Sequence, residues 1–184
     1  MEIYVIRHGL TELNKKKVLN GQIDEPLAKE GIKQAEKALA LIPETIQYIY
    51  SSPMMRAKQT AEIIASKLKR PVYLKKQLTE IHMGSIAGKS WDSFEGGLDL
   101  KKKHRSIQFD YRPLGGESVE QVKKRLILFL KQINNKYKDL EILLVTHGGI
   151  IRLLYLLEQN RVVDETEKHV SLLTFDLNKI LKNS

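Results

Sequence analysis

Apolar and polar positions along this chain follow two periods, and the two alternate. Residues 2–7, EIYVIR, alternate in part and are rich in β-branched and aromatic side chains, which predicts a strand. QYIYS at 47–51 reads the same way, and PVYL at 71–74 is a shorter strand. EILLVTH, residues 141–147, is almost continuously apolar, the pattern of a strand covered on both faces. SLLTFDL at 171–177 is another strand.

Between the strands the period changes to that of a helix. In KEGIKQAEKALALI, residues 29–42, Ile32, Ala35, Leu39 and Ile42 share one face. SSPMMRAKQTAEIIASKL has Ser52 placed as N-cap and Pro53 at the first helical position, with Ala57, Ala61, Ile64 and Leu68 turned inward. GESVEQVKKRLILFLKQI spaces Ser118 and Gln121 as a capping box, followed by Val119, Val122, Leu126, Phe129 and Ile133 on one face. GGIIRLLYLL follows the 141–147 strand directly. Alternating strands and helices predict an α/β fold, a three-layer α/β/α sandwich with a mostly parallel central sheet. No repeat or Pro/Gly-rich linker divides residues 1–184, so one domain is expected. Residues 84–116 are the least regular and read as loops and short helices over one end of the sheet.

Composition narrows the function classes. The chain has no cysteine, which removes disulfides and thiolate-bound metals. No leader of signal-peptide type opens it and no apolar run is long enough to cross a bilayer, so a cytoplasmic protein without a membrane partner is expected. A net charge of +9 attracts anions. The lysines are scattered beside apolar helical stripes, except for KKKHR at Lys101–Arg105, and no zinc-finger or RNP-type motif is present. A nucleic-acid partner is therefore disfavoured. The sequence carries no signal of oligomeric state.

The chemistry gathers where strands end. His8 closes the first strand and precedes Gly9; His147 closes the 141–147 strand and precedes Gly148 and Gly149. In parallel α/β sheets, ligands bind outside the carboxyl ends of the strands. Glycines there let backbone N–H groups approach a ligand, and the helix N-terminus after His147 favours an anion. Arg56 falls in the first turn of a helix that follows a strand and should reach the same edge. Taken singly, each residue has a blander reading: a strand-end His is more often structural, and a lone Arg or Glu is more often surface. Together, Arg7, His8, Arg56 and His147 make a phosphate site.

These residues lie in a larger pattern. RHGLTELN at 7–14 resembles the R-H-G-x-T-x-x-N opening of the histidine phosphatase superfamily, the phosphoglycerate-mutase-like proteins. The resemblance continues through GQIDEPLAKEGIKQA at 21–35, SSPMMRAKQTA at 51–61, LTEIHMGSIAGKSW at 78–91, GGES at 115–118 and VTHGG at 145–149. It implies that His8 is a nucleophile forming a phosphohistidine, that Glu80 is the acid/base, and that His147 assists as a donor. It further implies that Arg7, Asn14, Gly21, Arg56, His147 and Gly148 bind the phosphorylated substrate, without metal or cofactor.

Within the family, mutases carry a Tyr-Gly after the acid glutamate and an inserted arm that closes the site. Here the block reads E-I-H-M-G in a short chain, which resembles the small phosphatases, including broad-specificity and α-ribazole phosphatases. Hydrolysis of a small phosphorylated metabolite is therefore expected, with mutase-type transfer as the alternative and a non-catalytic phosphate or nucleic-acid binder behind it. Ala28 and Ala87 stand where many relatives have Thr and Glu. His82 is expected to tune the pocket or face solvent, and His104 and His169 have no motif around them. Trp91, Phe94 and Lys101–Arg105 are expected to roof the pocket, the basic cluster attracting a second acidic group.

Overall fold

The computed structural model describes residues 1–137, 140–163 and 168–184. Five strands, β1 (Glu2–Arg7), β2 (Tyr48–Ser51), β3 (Val72–Leu74), β4 (Ile142–Thr146) and β5 (Leu172–Asp176), form one sheet in the order β3-β2-β4-β1-β5. The neighbours β3, β2, β4 and β1 are parallel, and β5 closes the edge antiparallel to β1. Among the described residues the helices are α1 (Glu12–Lys15), α2 (Lys29–Ala38), α3 (Met55–Leu68), α4 (Gly97–Arg105), α5 (Val119–Lys136), α6 (Gly148–Gln159) and α7 (Leu177–Lys182). None of them is long and apolar enough to cross a membrane.

The alternation of the strands builds two cores. Ile3, Val5, Ile142 and Leu144 face a cluster with Leu126, Phe129, Leu154 and Leu177 from α5, α6 and α7. Ile6, Ile49, Leu143 and Val145 face the opposite cluster with Ala35, Ala57, Ala61 and Ile64 from α2 and α3. The protein is thus a three-layer α/β/α sandwich. From β1 the chain passes over one face to β2 and β3. It returns over the other face to β4, and from there to β5. The connections leaving β1 and β4 therefore go to opposite faces, and a crevice opens between the carboxyl ends of these adjacent strands. Such a switch point is where ligands bind in sheets of this kind.

Two boundaries differ from those predicted. The helix read over 29–42 ends at Ala38, because the amides of Leu39, Ala40 and Leu41 bond three residues back, tightening the last turn ahead of Pro43. Ile42 still reaches the core, whereas Ile32 is 39% exposed. The helix that Ser52 was expected to cap starts later, with Met54 at the N-cap and Pro53 in the approach. The Ser52 hydroxyl accepts the Met54 N–H at 3.3 Å, leaving its other side for the crevice. The Ser118–Gln121 capping box forms as predicted. Ala28 caps α2 with no side-chain hydrogen bond, the bond a Thr would be suited to make. The irregular stretch 84–116 holds two 3₁₀ turns and α4, which carries Lys101–Arg105.

Close backbone contact fixes the loop after β1. A Cβ at Gly9 would lie 2.5 Å from the Gly31 carbonyl oxygen, and one at Gly31 would collide with the backbone of Leu10. The glycine after His8 thus serves the packing of α2 on this loop, and its N–H donates to Thr60 Oγ1 at 3.1 Å instead of pointing to a ligand. At an open helix position, Gly→Ala stabilises by about 1 kcal/mol. Gly31→Ala should instead destabilise by about 1–3 kcal/mol through overpacking, read from urea unfolding midpoints. A stabilised variant would contradict this packing.

Candidate active site

The pairing register delivers the two histidines. Arg7 of β1 is opposite Thr146 of β4, so the next residues, His8 and His147, leave the sheet side by side, with ring centroids 5.1 Å apart. His8 is only 3% exposed and His147 is fully buried. His8 Nδ1 lies 2.7 Å from the Gly9 carbonyl oxygen. A carbonyl only accepts, so Nδ1 carries the proton and Nε2 keeps a bare lone pair. Arg56 Nε donates to that Nε2 at 3.3 Å.

Arg56 is fully buried, and backbone carbonyls hold its fork in place. Nη1 donates to Ile23 O at 2.7 Å and Nη2 to Gly21 O at 2.8 Å. Gly21 has φ +47°, a left-handed conformation that suits glycine and turns its carbonyl to the guanidinium. Gly21 thus holds Arg56 through its carbonyl and also lines the cleft. Desolvation lowers the pKa of Arg56 and takes that of Arg7 to about 10, so both stay cationic near neutrality.

Burial, with the charges of Arg56 and Arg7, holds His8 well below the ordinary imidazole range. The same causes, with His8 added, depress His147. In the open site His147 is therefore neutral, and its assistance as a cationic donor requires a bound anion to raise its pKa. Its Nε2 is 2.8 Å from Ser52 Oγ, and its Nδ1 is buried with no hydrogen-bond partner among the described residues.

Glu80 projects into the same cleft, which encloses about 140 Å³ and is also lined by Arg7, His8, Asn14, Gly21, Arg56 and Gly148. One Glu80 oxygen accepts the Ile81 N–H at 2.9 Å; the other accepts the Gly149 N–H, at the start of α6, at 3.2 Å. A Cβ at Gly149 would meet the Glu80 carboxylate and Ile81, so a larger residue there would displace the Glu80 side chain. The Glu80 carbonyl is held by Gln22 Nε2 at 2.8 Å and Arg125 Nη2 at 3.2 Å. Asn14 Oδ1 accepts the Thr11 N–H, completing a capping box on α1 that points this residue into the cleft. Every residue expected at the site thus lines or borders one cleft. Among the described residues, no group of three or more His, Asp or Glu side chains is arranged to hold a metal ion.

Two histidines without a motif prove to be site neighbours. The Nδ1–H of His169 donates to the His8 carbonyl at 2.8 Å, and its ring is 5.4 Å from that of His8. Its pKa falls to about 4 through burial and the Arg7 charge. His104 is buried against Trp91, with Nδ1 2.9 Å from Tyr111 Oη, and its pKa falls to about 3 through burial and the nearby arginines. It is the one member of Lys101–Arg105 that lines the cleft, and it is neutral. Of the other residues expected to roof the pocket, Trp91, Phe94 and Lys102 line a neighbouring cavity of about 420 Å³. Arg152, on the first turns of α6, also lines the cleft and was missed. Its signal was present, a lone charge within the apolar run GGIIRLLYLL.

This arrangement of imidazole, guanidinium and carboxylate groups suits the binding of a phosphoryl group, and comparison with known proteins gives the family. The profile of the histidine phosphatase superfamily (branch 1) matches residues 3–172. The chain belongs to this superfamily, and its enzyme class is that of the phosphoric monoester hydrolases. It is 36% identical to the metal-independent phosphoserine phosphatase of Arabidopsis thaliana over 84% of its own length and 67% of that protein. It is 35% identical to phosphoglycerate mutase-like protein 4 of the same plant, over 84% and 69%. The crystal structure of a phosphoglycerate mutase from Thermus thermophilus superposes with TM-score 0.79 and 29% identity, over 96% of this chain and 93% of that one.

Burying neutral histidines has a consequence for stability. His8, His147, His104 and His169 all have depressed pKa values in the fold, so below about pH 6.5 the unfolded chain binds more protons than the native one. Stability is then lost as pH falls from about 6.5 toward the folded values. His8 and His147, the most deeply buried of the four, should both contribute to that loss. Thermal midpoints should fall steeply between about pH 7 and pH 5, and less steeply in His104→Phe. A flat profile would contradict the burial of neutral imidazoles.

Proposed function

We propose that the protein hydrolyses small phosphorylated metabolites through a phosphohistidine on His8, without metal. The observation that carries this reading is the bare Nε2 of a neutral, tautomer-locked His8, seated on a buried guanidinium and sharing a cleft with one carboxylate. The Nε2 lone pair attacks phosphorus as the P–O bond to the alcohol breaks. Glu80 supplies the proton that the departing oxygen needs. Arg7 and Arg56, with His147 protonated once the dianion has entered, spread the charge of the transferring phosphoryl group. Water then attacks the phosphohistidine, Glu80 takes its proton, and the Nε2–P bond breaks to return free phosphate and neutral imidazole.

Asn14 and the Gly148 N–H are assigned as lesser donors, and the whole chain is read as one cytoplasmic unit whose partner is its substrate. Transfer of the phosphoryl group to a second phosphorylated acceptor is the competing reading, favoured by the solved phosphoglycerate mutase and the mutase-like relative. Hydrolysis is supported by the relative named as a metal-independent phosphoserine phosphatase.

A panel of phosphomonoesters assayed in EDTA, beside 3-phosphoglycerate with and without bisphosphoglycerate primer, tests the proposal. Phosphate release without metal or primer is expected, with an acid-labile phosphoenzyme that disappears in His8→Ala. Primer-dependent isomerisation without phosphate release would favour the mutase. Glu80→Gln should slow alkyl esters by about 10²–10⁴-fold, and activated aryl esters much less, because only the former need a proton on the leaving group. Equal loss for both would remove Glu80 from the acid role.

A further inference from the structure

Glu80 lies in residues 79–83, which are neither strand nor helix. A group that transfers protons has to be held within about 0.5 Å of its working position, and a loop does not achieve that alone. Here α5 does it through one side chain. Arg125, two turns into α5, donates from Nη1 to the Gln77 carbonyl at 2.7 Å and from Nη2 to the Glu80 carbonyl at 3.2 Å. The same guanidinium grips Glu117 with both prongs, Nε at 2.9 Å and Nη2 at 3.1 Å from the carboxylate oxygens. Glu117 in turn brackets His82: Oε2 accepts its N–H at 2.9 Å, and the Glu117 N–H donates to its carbonyl at 2.8 Å. The backbone is thus tied before, at and after Glu80.

We propose that the Arg125–Glu117 ion pair is the positioning device of the acid/base, holding residues 77–82 so that the Glu80 carboxylate stays on the Gly149 N–H and faces the cleft. The inference rests on the reading of Glu80 as the acid/base and deepens it. Three features carry it. The pair is largely withdrawn from water, with side chains 18% and 21% exposed, so its charge-assisted bonds are weakly screened. Arg125 sits on an 18-residue helix, whereas Gln22, which also reaches the Glu80 carbonyl, comes from a turn. The segment has no room to slip: a Cβ at Gly116 would collide with the His82 carbonyl, and one at Gly84 with that of Leu114. A pair that merely joined α5 to the 84–116 loop would have no bond to the backbone of Gln77 and Glu80, and this one has both.

The experiment follows two classes of ester and one backbone amide. Because kcat/KM covers the steps through departure of the alcohol, an alkyl phosphomonoester, which needs a proton on its leaving oxygen, is compared with para-nitrophenyl phosphate, which does not. Arg125→Met should lower kcat/KM by about 10- to 100-fold for the alkyl ester and by about threefold or less for the aryl ester. In the Glu80→Gln background the same substitution should cost the alkyl ester about threefold or less, because the group it positions is already gone. Arg125→Lys should keep part of the alkyl activity, and Glu117→Gln should show the same dependence on ester class as Arg125→Met. As the second residue of α6, Gly149 has no helical partner for its N–H, so hydrogen exchange reads its bond to Glu80 directly. Arg125→Met should speed that exchange by about tenfold or more, with the Ile151 amide, bonded to the His147 carbonyl, unchanged. An equal loss on both esters, an additive loss in the Glu80→Gln background, or an unchanged Gly149 amide would overturn the proposal and mark a pair that only fastens the loop. Should Arg125→Met fail to fold, Arg125→Lys and Glu117→Gln carry the same readouts. Failure of the underlying reading looks different: no ester is turned over and His8 takes up no phosphate. Exchange at Gly149 then still decides whether Arg125 positions Glu80.

Discussion

The whole site depends on one short hydrogen bond, from His8 Nδ1 to the carbonyl of the residue that follows it. An imidazole in water exchanges tautomers and titrates near neutrality. Here burial and two guanidiniums remove the charged form, and the carbonyl removes one of the two neutral forms. What is left is a single species with its lone pair directed at Arg56. The surrounding elements serve this arrangement: β4 fixes the ring beside His147, His169 holds the His8 carbonyl, and Thr60 on α3 holds the Gly9 amide. In the proposed reaction such an imidazole needs no base to activate it, and the Glu80 carboxylate remains available for the leaving group.

The position of the cleft follows from topology. Because the chain leaves β1 over one face of the sheet and β4 over the other, no connection covers the gap between their ends. Backbone groups left without partners at the start of α6 then face the gap. One of them, the Gly149 N–H, donates to Glu80, which ties this carboxylate to the same helix that carries Arg152. The cations on this edge repel one another, and the fold tolerates them because carbonyls of Gly21 and Ile23 take up the protons of Arg56.

Much of this was legible in the sequence, for identifiable reasons. Strand periodicity located β1 and β4, and chain order put His8 and His147 at corresponding ends, so their meeting needed only a parallel register. Arg56 followed from its place one turn into a helix after a strand. Glu80 did not follow from periodicity and came from the resemblance of its block to the family. What stayed hidden was carried by contacts between distant segments. His169 touches His8 across 161 residues, and nothing local marks it. His104 belongs to a cluster that reads as surface charge, and its burial depends on Trp91 and Tyr111 folding over it. The end of α2 and the displaced start of α3 were set by Pro43 and Pro53, residues whose effect on the last or first turn is decided by the backbone around them.

The most direct measurement is nitrogen-15 NMR of the His8 imidazole from about pH 5 to pH 8. The account expects a protonated Nδ1 and a bare Nε2 throughout, with no titration near the ordinary histidine value. A ring that titrates near pH 6.5, or that carries its proton on Nε2, would contradict it.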